Sequence, residues 1–146
     1  MSDLETRLAL EQDEPDARML AEQLGATLKG DGEDPCVYWL KMSPPGQPAE
    51  RFFARIAWSA YPGAPPSVKF ADRVGGRLDL TSSWPIIPGY RPGERDICQP
   101  FTAEGHAIHP DWSSGPEAWQ STGNPFLAVV CQLLHGMTDK YQGRSG

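Results

Sequence analysis

Glycine and proline interrupt the middle of this chain more often than regular structure tolerates. From residue 71 to residue 122 the breaks begin at Gly75 and Gly76 and continue to Gly115 and Pro116. Proline lacks a backbone donor and glycine is costly to order, so both tend to end helices and strands. The whole chain has fifteen residues of each type, which favours long turns and irregular loops over a helical bundle. A stretch without periodicity inside one domain often carries function.

The first 25 residues predict helix, because apolar residues recur there at helical spacing. Pro15 follows two acidic residues, in the position that the first residue of a restarted helix prefers. Gly25 is a typical stop signal. The segment therefore predicts one interrupted helix or two short ones, with apolar positions at Leu4, Leu8, Met19, Leu20 and Leu24.

Three runs between residues 36 and 70 predict strands. Residues 36–42 are rich in β-formers, and residues 51–59 alternate so that Phe52 and Ile56 share one face. The turn between these two runs predicts an antiparallel hairpin, to which residues 67–70 add a third short strand. The expected fold class is α+β with an antiparallel meander sheet.

One helix is expected after the long irregular segment. Asn124 is suited to the N-cap and Pro125 to the first helical position. No repeat or linker divides the chain, so residues 1–146 are expected to form a single domain, with a frayed tail from residue 140. The apolar stripe of this helix is assigned to the core and comprises Phe126, Val129, Val130, Leu133, Leu134 and Met137.

The charge distribution restricts the kinds of partner that the chain can have. Its formal net charge is −6, so a general nucleic-acid surface is not expected. The acid is concentrated in residues 1–24, which indicates either a solvated helix face or a docking surface for a basic partner. The sequence contains no apolar run of membrane-spanning length, no secretory signal and no phosphate-binding glycine loop. We expect a cytoplasmic protein with no membrane partner and no cofactor.

Two motifs at the turns resemble those of the ubiquitin-conjugating enzymes. Residues 42–46 (Met-Ser-Pro-Pro-Gly), followed by Arg-Phe-Phe at residues 51–53, resemble the family's Gly-Pro-Pro turn and aromatic strand. Residues 61–70 (Tyr-Pro-Gly-Ala-Pro-Pro-Ser-Val-Lys-Phe) are similar to its Tyr-Pro-x-x-Pro-Pro-x-Val-x-Phe motif. Prolines hold such a turn extended and kinked, and Tyr61 packs beneath it. The resemblance implies a ubiquitin-conjugating-enzyme-like fold: N-terminal helix, meander sheet, long active-site loop and C-terminal helix.

The resemblance also implies an activity. Asp96-Ile97-Cys98 is similar to the hydrophobic-cysteine step at the family's active site. Cys98 would carry a ubiquitin-like protein as a thioester, receive it from an adenylating activating enzyme and transfer it to an amine of a protein target. Residues 88–90 (Pro-Gly-Tyr) lie where the family has His-Pro-Asn, and the first helix is acidic. These departures resemble the compact bacterial type, which implies a conjugation pathway with a link to antiviral defence.

The cysteine pattern agrees with a reactive thiol rather than with a disulfide framework. The chain has three widely spaced cysteines, an odd number. Cys98 lies in a polar, turn-rich stretch, where Arg91 and Arg95 favour its thiolate and Asp96 opposes it. Cys36 and Cys131 are expected to be buried and inert.

Groups that follow Cys98 are candidates to support it. His106 or His109 would act as a general base or as a donor to the tetrahedral oxyanion. Asp111 would orient His109 or polarise an incoming lysine. The amide of Gln99 is a further candidate donor. The alternatives are a histidine that only bonds backbone and an aspartate present for turn geometry.

Two other functions remain open from the sequence. The missing His-Pro-Asn allows a non-catalytic module that binds a ubiquitin-like protein or a peptide. Cys98, His106 and His109 are also suitable zinc ligands, although no fourth ligand or Cys-x-x-Cys pair accompanies them. We therefore expect no metal.

Overall fold

A computed structural model describes residues 3–146 of the chain. Its first half contains a long helix and four strands, and its second half contains shorter elements and a closing helix. No helix among the described residues is long and apolar enough to cross a membrane. The elements are α1 (Asp3–Gln23), β1 (Thr27–Gly30), β2 (Val37–Met42), β3 (Phe52–Ala57), β4 (Ser67–Ala71), β5 (Tyr90–Arg91), β6 (Asp96–Ile97), α2 (Ala103–Ile108) and α3 (Pro125–Asp139), with 3-10 turns at Thr81–Ser83 and Pro110–Ser113.

The strands β1 to β4 form one antiparallel sheet in sequence order. The predicted hairpin is confirmed, with Phe52 opposite Met42 and Ile56 opposite Tyr38. Residues of β3 alternate between buried and half-buried, because its inner face packs on the helices and its outer face does not. The α+β class with flanking helices and a meander sheet is therefore confirmed. Strand β1 was not predicted, since its four residues contain a single buried side chain, Leu28.

Helix α1 is continuous, so the predicted interruption is wrong. Pro15 lies inside it, where proline removes one backbone donor while the rest of the hydrogen-bond ladder persists. The two halves are held by one buried face, which contains Leu10, Ala17 and Ala21. The expected apolar face is wrong at most of its positions, because Leu4, Leu8, Met19 and Leu24 are 56–60% exposed, whereas Leu20 packs against the core. The stop is confirmed: Gly25 follows the helix with φ +80.

Helix α3 begins as expected. The Asn124 side chain accepts from the backbone N–H of Leu127, and Pro125 occupies the first turn. The predicted stripe, from Phe126 to Met137, is buried. Cys131 is nevertheless exposed and Cys36 is half-buried, which corrects the expectation that both are buried. Cys131 lies beside the stripe rather than within it.

The tail is anchored rather than frayed. The Arg144 guanidinium donates to Glu50 Oε1 at 2.7 Å, to the carbonyl of Arg51 at 2.8 Å and to the carbonyl of Ser82 at 2.8 Å. It also lies 4.0 Å over the ring of Phe52. A single arginine thus connects the tail to the start of β3 and to the 3-10 turn, a role that sequence periodicity does not reveal.

Buried tyrosines predict a loss of stability at high pH. Burial, reinforced by the charges of Glu14 and Glu11, raises the pKa of Tyr38 to about 12, and burial also raises the pKa of Tyr61 and of Tyr90. In the unfolded chain tyrosine ionises near pH 10. The stabilisation is therefore fully present below about pH 10 and is lost as the pH rises towards 12.

Denaturant unfolding at about pH 8 and about pH 11 tests this expectation. Each such tyrosine should lower the free energy of unfolding by about 1.4 kcal/mol per pH unit above pH 10. The Tyr38→Phe variant removes one titrating group and should lose less stability than the wild type over the same interval. Equal losses in the two proteins would contradict the assignment.

Candidate functional site

Cys98 lies at the end of a small hairpin. Strands β5 and β6 pair antiparallel, and the N–H of Cys98 donates to the carbonyl of Gly89 at 2.8 Å beyond them. The Cys98 side chain is half-buried. Inside the hairpin, the Arg91 guanidinium donates to both carboxylate oxygens of Asp96 at 2.8 Å. This bidentate pair holds the two short strands together next to the thiol.

The segment after Cys98 is fixed by one buried threonine. Thr102 Oγ1 donates to the carbonyl of Ile97 at 2.5 Å and accepts from the N–H of Gly105 at 3.0 Å. The second contact makes Thr102 the N-cap of α2. The Gln99 amide donates to the carbonyl of Pro88 at 3.1 Å. The chain therefore leaves the cysteine in a tight turn that is bonded at both ends.

At Gly105, helix α2 approaches the backbone of Gln99 more closely than any side chain would allow. A Cβ at this position would lie 2.2 Å from the carbonyl oxygen of Gln99 and 2.8 Å from its backbone nitrogen. Gly89, with φ +88, faces the same residue, and a Cβ there would lie 2.3 Å from Gln99 Nε2. Two glycines thus enclose Gln99 directly after the candidate nucleophile.

Helix α2 is attached to the strand that follows the proline turn. The Glu104 carboxylate accepts from the hydroxyl of Ser67 and from the N–H of Val68, the latter at 3.4 Å. The N–H of Ala103 donates to the carbonyl of Pro66 at 2.8 Å. The proline-rich motif and the cysteine segment are therefore parts of one hydrogen-bonded unit.

Tyr61 lies at the centre of the scaffold beneath this unit. Its side chain is fully buried, its hydroxyl donates to the carboxylate of Asp13, and the same hydroxyl accepts from the N–H of Phe126 at 3.1 Å. Trp119 Nε1 donates to the carbonyl of Pro62 at 2.8 Å. The tyrosine consequently joins α1 and α3 to the turn. The role of Asp13 had no sequence signal beyond its place in an acidic helix.

His106 is bonded to the backbone. Its Nε2 lies 2.8 Å from the carbonyl oxygen of Pro100. Since a carbonyl only accepts hydrogen bonds, Nε2 carries the proton and Nδ1 is the nitrogen left to accept. No hydrogen bond joins either histidine to the Cys98 thiol within the part of the chain that the structure describes.

His109 and Asp111 are neighbours on the turn that follows α2. The His109 ring stacks on Trp112, with centroids 4.2 Å apart and an interplanar angle of 18°. Its Nδ1 lies 4.0 Å from the Asp111 carboxylate, which is 80% exposed. His106 approaches the same indole edge-on at 5.7 Å. Both imidazoles thus contact one tryptophan, an arrangement that the spacing of the histidines did not predict.

The charge near the thiol comes chiefly from Arg91. Its hydrogen bond to Asp96 raises the pKa of the guanidinium, and the negative charge of a Cys98 thiolate acts in the same direction. Arg95 lies at the tip of the hairpin with φ 57, and its carbonyl accepts from Lys69 Nζ at 2.6 Å. The predicted influence of Arg91 on the thiol is therefore supported, with Asp96 neutralising part of it, whereas no contact of a described residue brings the Arg95 guanidinium to Cys98.

Two depressions flank Phe101 on the α3 side of the cysteine segment. One of about 240 Å³ is lined by Tyr90, His135 and the backbone of α3 around Gly136. The other, of about 410 Å³, is lined by Trp119 and neighbouring residues. Gln99, Phe101 and Gln132 contribute to both. The residue after Cys98, Gln99, therefore borders both depressions.

The zinc alternative finds no ligand set. No group of three or more His, Cys, Asp or Glu side chains within residues 3–146 is arranged to hold a metal ion.

No protein-family model matches the chain, and comparison with curated proteins and with solved structures gives no significant match. The functional roles of Cys98, His106, His109 and Asp111 stay predictions. Thr102, Gly105 and Gly89 were not predicted as site residues, although the glycines stand among the breaks of the long segment.

Proposed function

We propose that the protein is an acyl carrier of the ubiquitin-conjugating type, with Cys98 as its thioester cysteine. The observation that carries the proposal is a half-buried thiol on a segment clamped by Thr102 and Gly105. Such a nucleophile is accessible and yet held in one place, which transfer between two large proteins requires. The resemblance of residues 61–70 to the family motif supports the scaffold, and the resemblance of residues 96–98 to the family's cysteine step supports the activity.

The reaction consists of two acyl transfers. The Cys98 thiolate attacks the thioester carbonyl of a ubiquitin-like protein held by an adenylating activating enzyme. The new C–S bond forms as the bond to the activating enzyme's sulfur breaks, and that sulfur leaves as a thiolate. An amine of the protein target then attacks the Cys98 thioester, loses a proton and expels the Cys98 thiolate.

His109 is the better of the two candidate bases. The bond from Nε2 to Pro100 holds the His106 ring in one orientation and leaves only Nδ1 to accept a proton, whereas neither ring nitrogen of His109 makes a hydrogen bond to another described residue. Asp111 is close enough to stabilise the imidazolium that forms when His109 accepts a proton. Because no hydrogen bond joins the ring to the thiol, the base would act on the incoming amine rather than on Cys98.

Substitution of the cysteine tests the proposal. The wild-type chain, incubated with ATP and with an adenylating enzyme and ubiquitin-like protein from its own genome, should form an adduct that thiols cleave. Cys98→Ser should form a slower adduct that resists thiols, and Cys98→Ala should form none. Cys131→Ser is the matched control, because Cys131 is also a free thiol and lies on α3. Non-reducing electrophoresis and mass spectrometry measure all three outcomes.

The outcome that would contradict the proposal is an adduct on Cys98→Ala at the wild-type level. If Cys131→Ser also failed to form the adduct, its loss in Cys98→Ala would no longer identify Cys98 as the thioester cysteine.

A non-catalytic binding module is the second candidate. It is favoured by one observation: the Cys98 thiol has no hydrogen bond to a basic side chain among residues 3–146. This function predicts binding of a ubiquitin-like protein without any adduct. It also predicts that iodoacetamide modifies Cys98 no faster than a model thiol, which separates it from the carrier.

A further inference from the structure

The outer face of the sheet carries a set of cations that form no ion pair with a described residue, although the charge of Asp31 acts on Arg55 from beyond ion-pair distance. Within residues 3–146, the cations of this face without an ion pair inside 4.0 Å are Lys29, Lys41, Arg51 and Arg55. Arg7, Arg95 and Lys140 are likewise unpaired, and the arginines that do pair with carboxylates are Arg18, Arg73, Arg77, Arg91 and Arg144. Such a concentration is unexpected in a chain of net charge −6. We name these four residues, with Lys69, the basic sheet face.

Strand register brings these cations together. Lys29 of β1 is opposite Trp39 of β2, Trp39 is opposite Arg55 of β3, and Arg55 is opposite Lys69 of β4. Paired positions in an antiparallel sheet have their Cβ atoms about 5 Å apart. Three cations therefore follow one row across the whole sheet. The carboxylate of Asp31, bonded to Trp39 in the middle of this row, offsets part of their mutual repulsion. An anionic partner would relieve the rest.

A depression in this face supplies an apolar contact. It has a volume of about 290 Å³, and its lining includes Phe53, Val74 and the ring of Trp39 between Lys29 and Lys41. Val74 is 36% exposed. The basic sheet face therefore offers an apolar centre with cations around it.

The chemistry of the face selects among anionic partners. Trp39 is buried, with 3% of its surface exposed, and its Nε1 donates to the carboxylate of Asp31 at 2.8 Å. The indole of Trp39 is therefore closed to stacking by a nucleobase, and the half-buried ring of Phe53 is the aromatic contact that remains in the depression. An acidic protein segment with an apolar anchor matches both the cations and the depression.

We propose that the basic sheet face docks an acidic polypeptide segment that places an apolar side chain against Phe53 and Val74. The face lies on the side of the sheet opposite α1 and α3, so this proposal does not depend on the function assigned to Cys98.

Fluorescence anisotropy of the full chain with a fluorescein-labelled polyglutamate peptide containing a central leucine pair tests the proposal. The peptide should bind, and binding should weaken as salt rises. Lys29→Glu/Lys41→Glu should bind it about tenfold more weakly or worse. Arg7→Glu/Lys140→Glu changes the net charge equally at exposed positions off the face and should bind as the wild type does. Circular dichroism checks that both variants are folded, and Lys29→Gln/Lys41→Gln should give an intermediate loss.

Four results would overturn the proposal. If Arg7→Glu/Lys140→Glu weakened peptide binding as much as Lys29→Glu/Lys41→Glu, net charge alone would explain the effect. A polyglutamate peptide without leucine that binds as tightly would remove the apolar anchor. Tighter binding of oligouridylate would assign the face to nucleic acid. Self-association of the chain that Lys29→Glu/Lys41→Glu abolishes would assign the face to a second copy.

Discussion

Gly105→Ala should lower the free energy of unfolding by about 3 kcal/mol or more and release the segment that carries Cys98. The new Cβ would lie 2.2 Å from the carbonyl oxygen of Gln99, so backbone must move rather than a flexible side chain. Alanine is the better helix former by about 1 kcal/mol, which opposes the effect and is too small to cancel it. In a domain of this size the melting temperature should fall by about 10 °C.

The reactivity of the thiol should change with the stability. Loss of the tight turn should make Cys98 more accessible, and iodoacetamide should modify it faster than in the wild type. Gly93→Ala is the matched control, because a Cβ at Gly93 meets no atom within 4 Å and the residue lies in the same hairpin region. An unchanged melting temperature in Gly105→Ala would mean that the cysteine segment is not packed against α2.

Tyr61→Phe should cost about 3 kcal/mol of stability although it removes one oxygen atom. The hydroxyl donates to the carboxylate of Asp13, and a hydrogen bond to a charged group contributes about 1.5–3 kcal/mol. It also accepts from the N–H of Phe126, which has no intrahelical partner in the first turn of α3. The substitution leaves that buried donor unsatisfied and thereby removes a cap supplied from another part of the chain.

A double-mutant cycle isolates the bond between the two side chains. Asp13→Ala and Tyr61→Phe should show a coupling energy of about 1.5 kcal/mol or more in denaturant unfolding. Tyr141→Phe is the comparison variant, since the Tyr141 ring packs on Phe52 and its hydroxyl makes no hydrogen bond to another described residue. Additive effects of the two substitutions in the cycle would contradict the proposed role of Tyr61.

The sequence predicted those elements whose own residues carry a periodic or capping signal. The alternation in β3 and the Asn124–Pro125 start of α3 are local patterns, and the structure confirms both. The face of α1 was misjudged because apolar side chains such as Met19 are exposed, while Leu10 and Ala17 fill the contact with the core. Hydrophobicity alone ranks Met19 above Ala17, although close helix packing favours the smaller side chain.

The reactive groups of the candidate site could be named from the sequence, but the residues that hold them in place could not. A cysteine in a polar turn identifies Cys98 as a candidate, and the histidines follow it at visible spacing. The clamp depends on Thr102 and Gly105, whose roles arise from contacts with backbone atoms of Ile97 and Gln99. Such contacts are determined by the path of the chain in three dimensions, which no side-chain pattern records.

The attachment of α2 to β4 also bears on aggregation. β4 is an edge strand of the sheet, and an edge strand with free N–H and C=O groups can pair with a strand of another molecule. Glu104 accepts from Val68 and Ala103 donates to Pro66, so the helix after Cys98 covers part of this edge. A variant that detaches the cysteine segment would therefore expose a template for intermolecular strand pairing, and we expect it to precipitate.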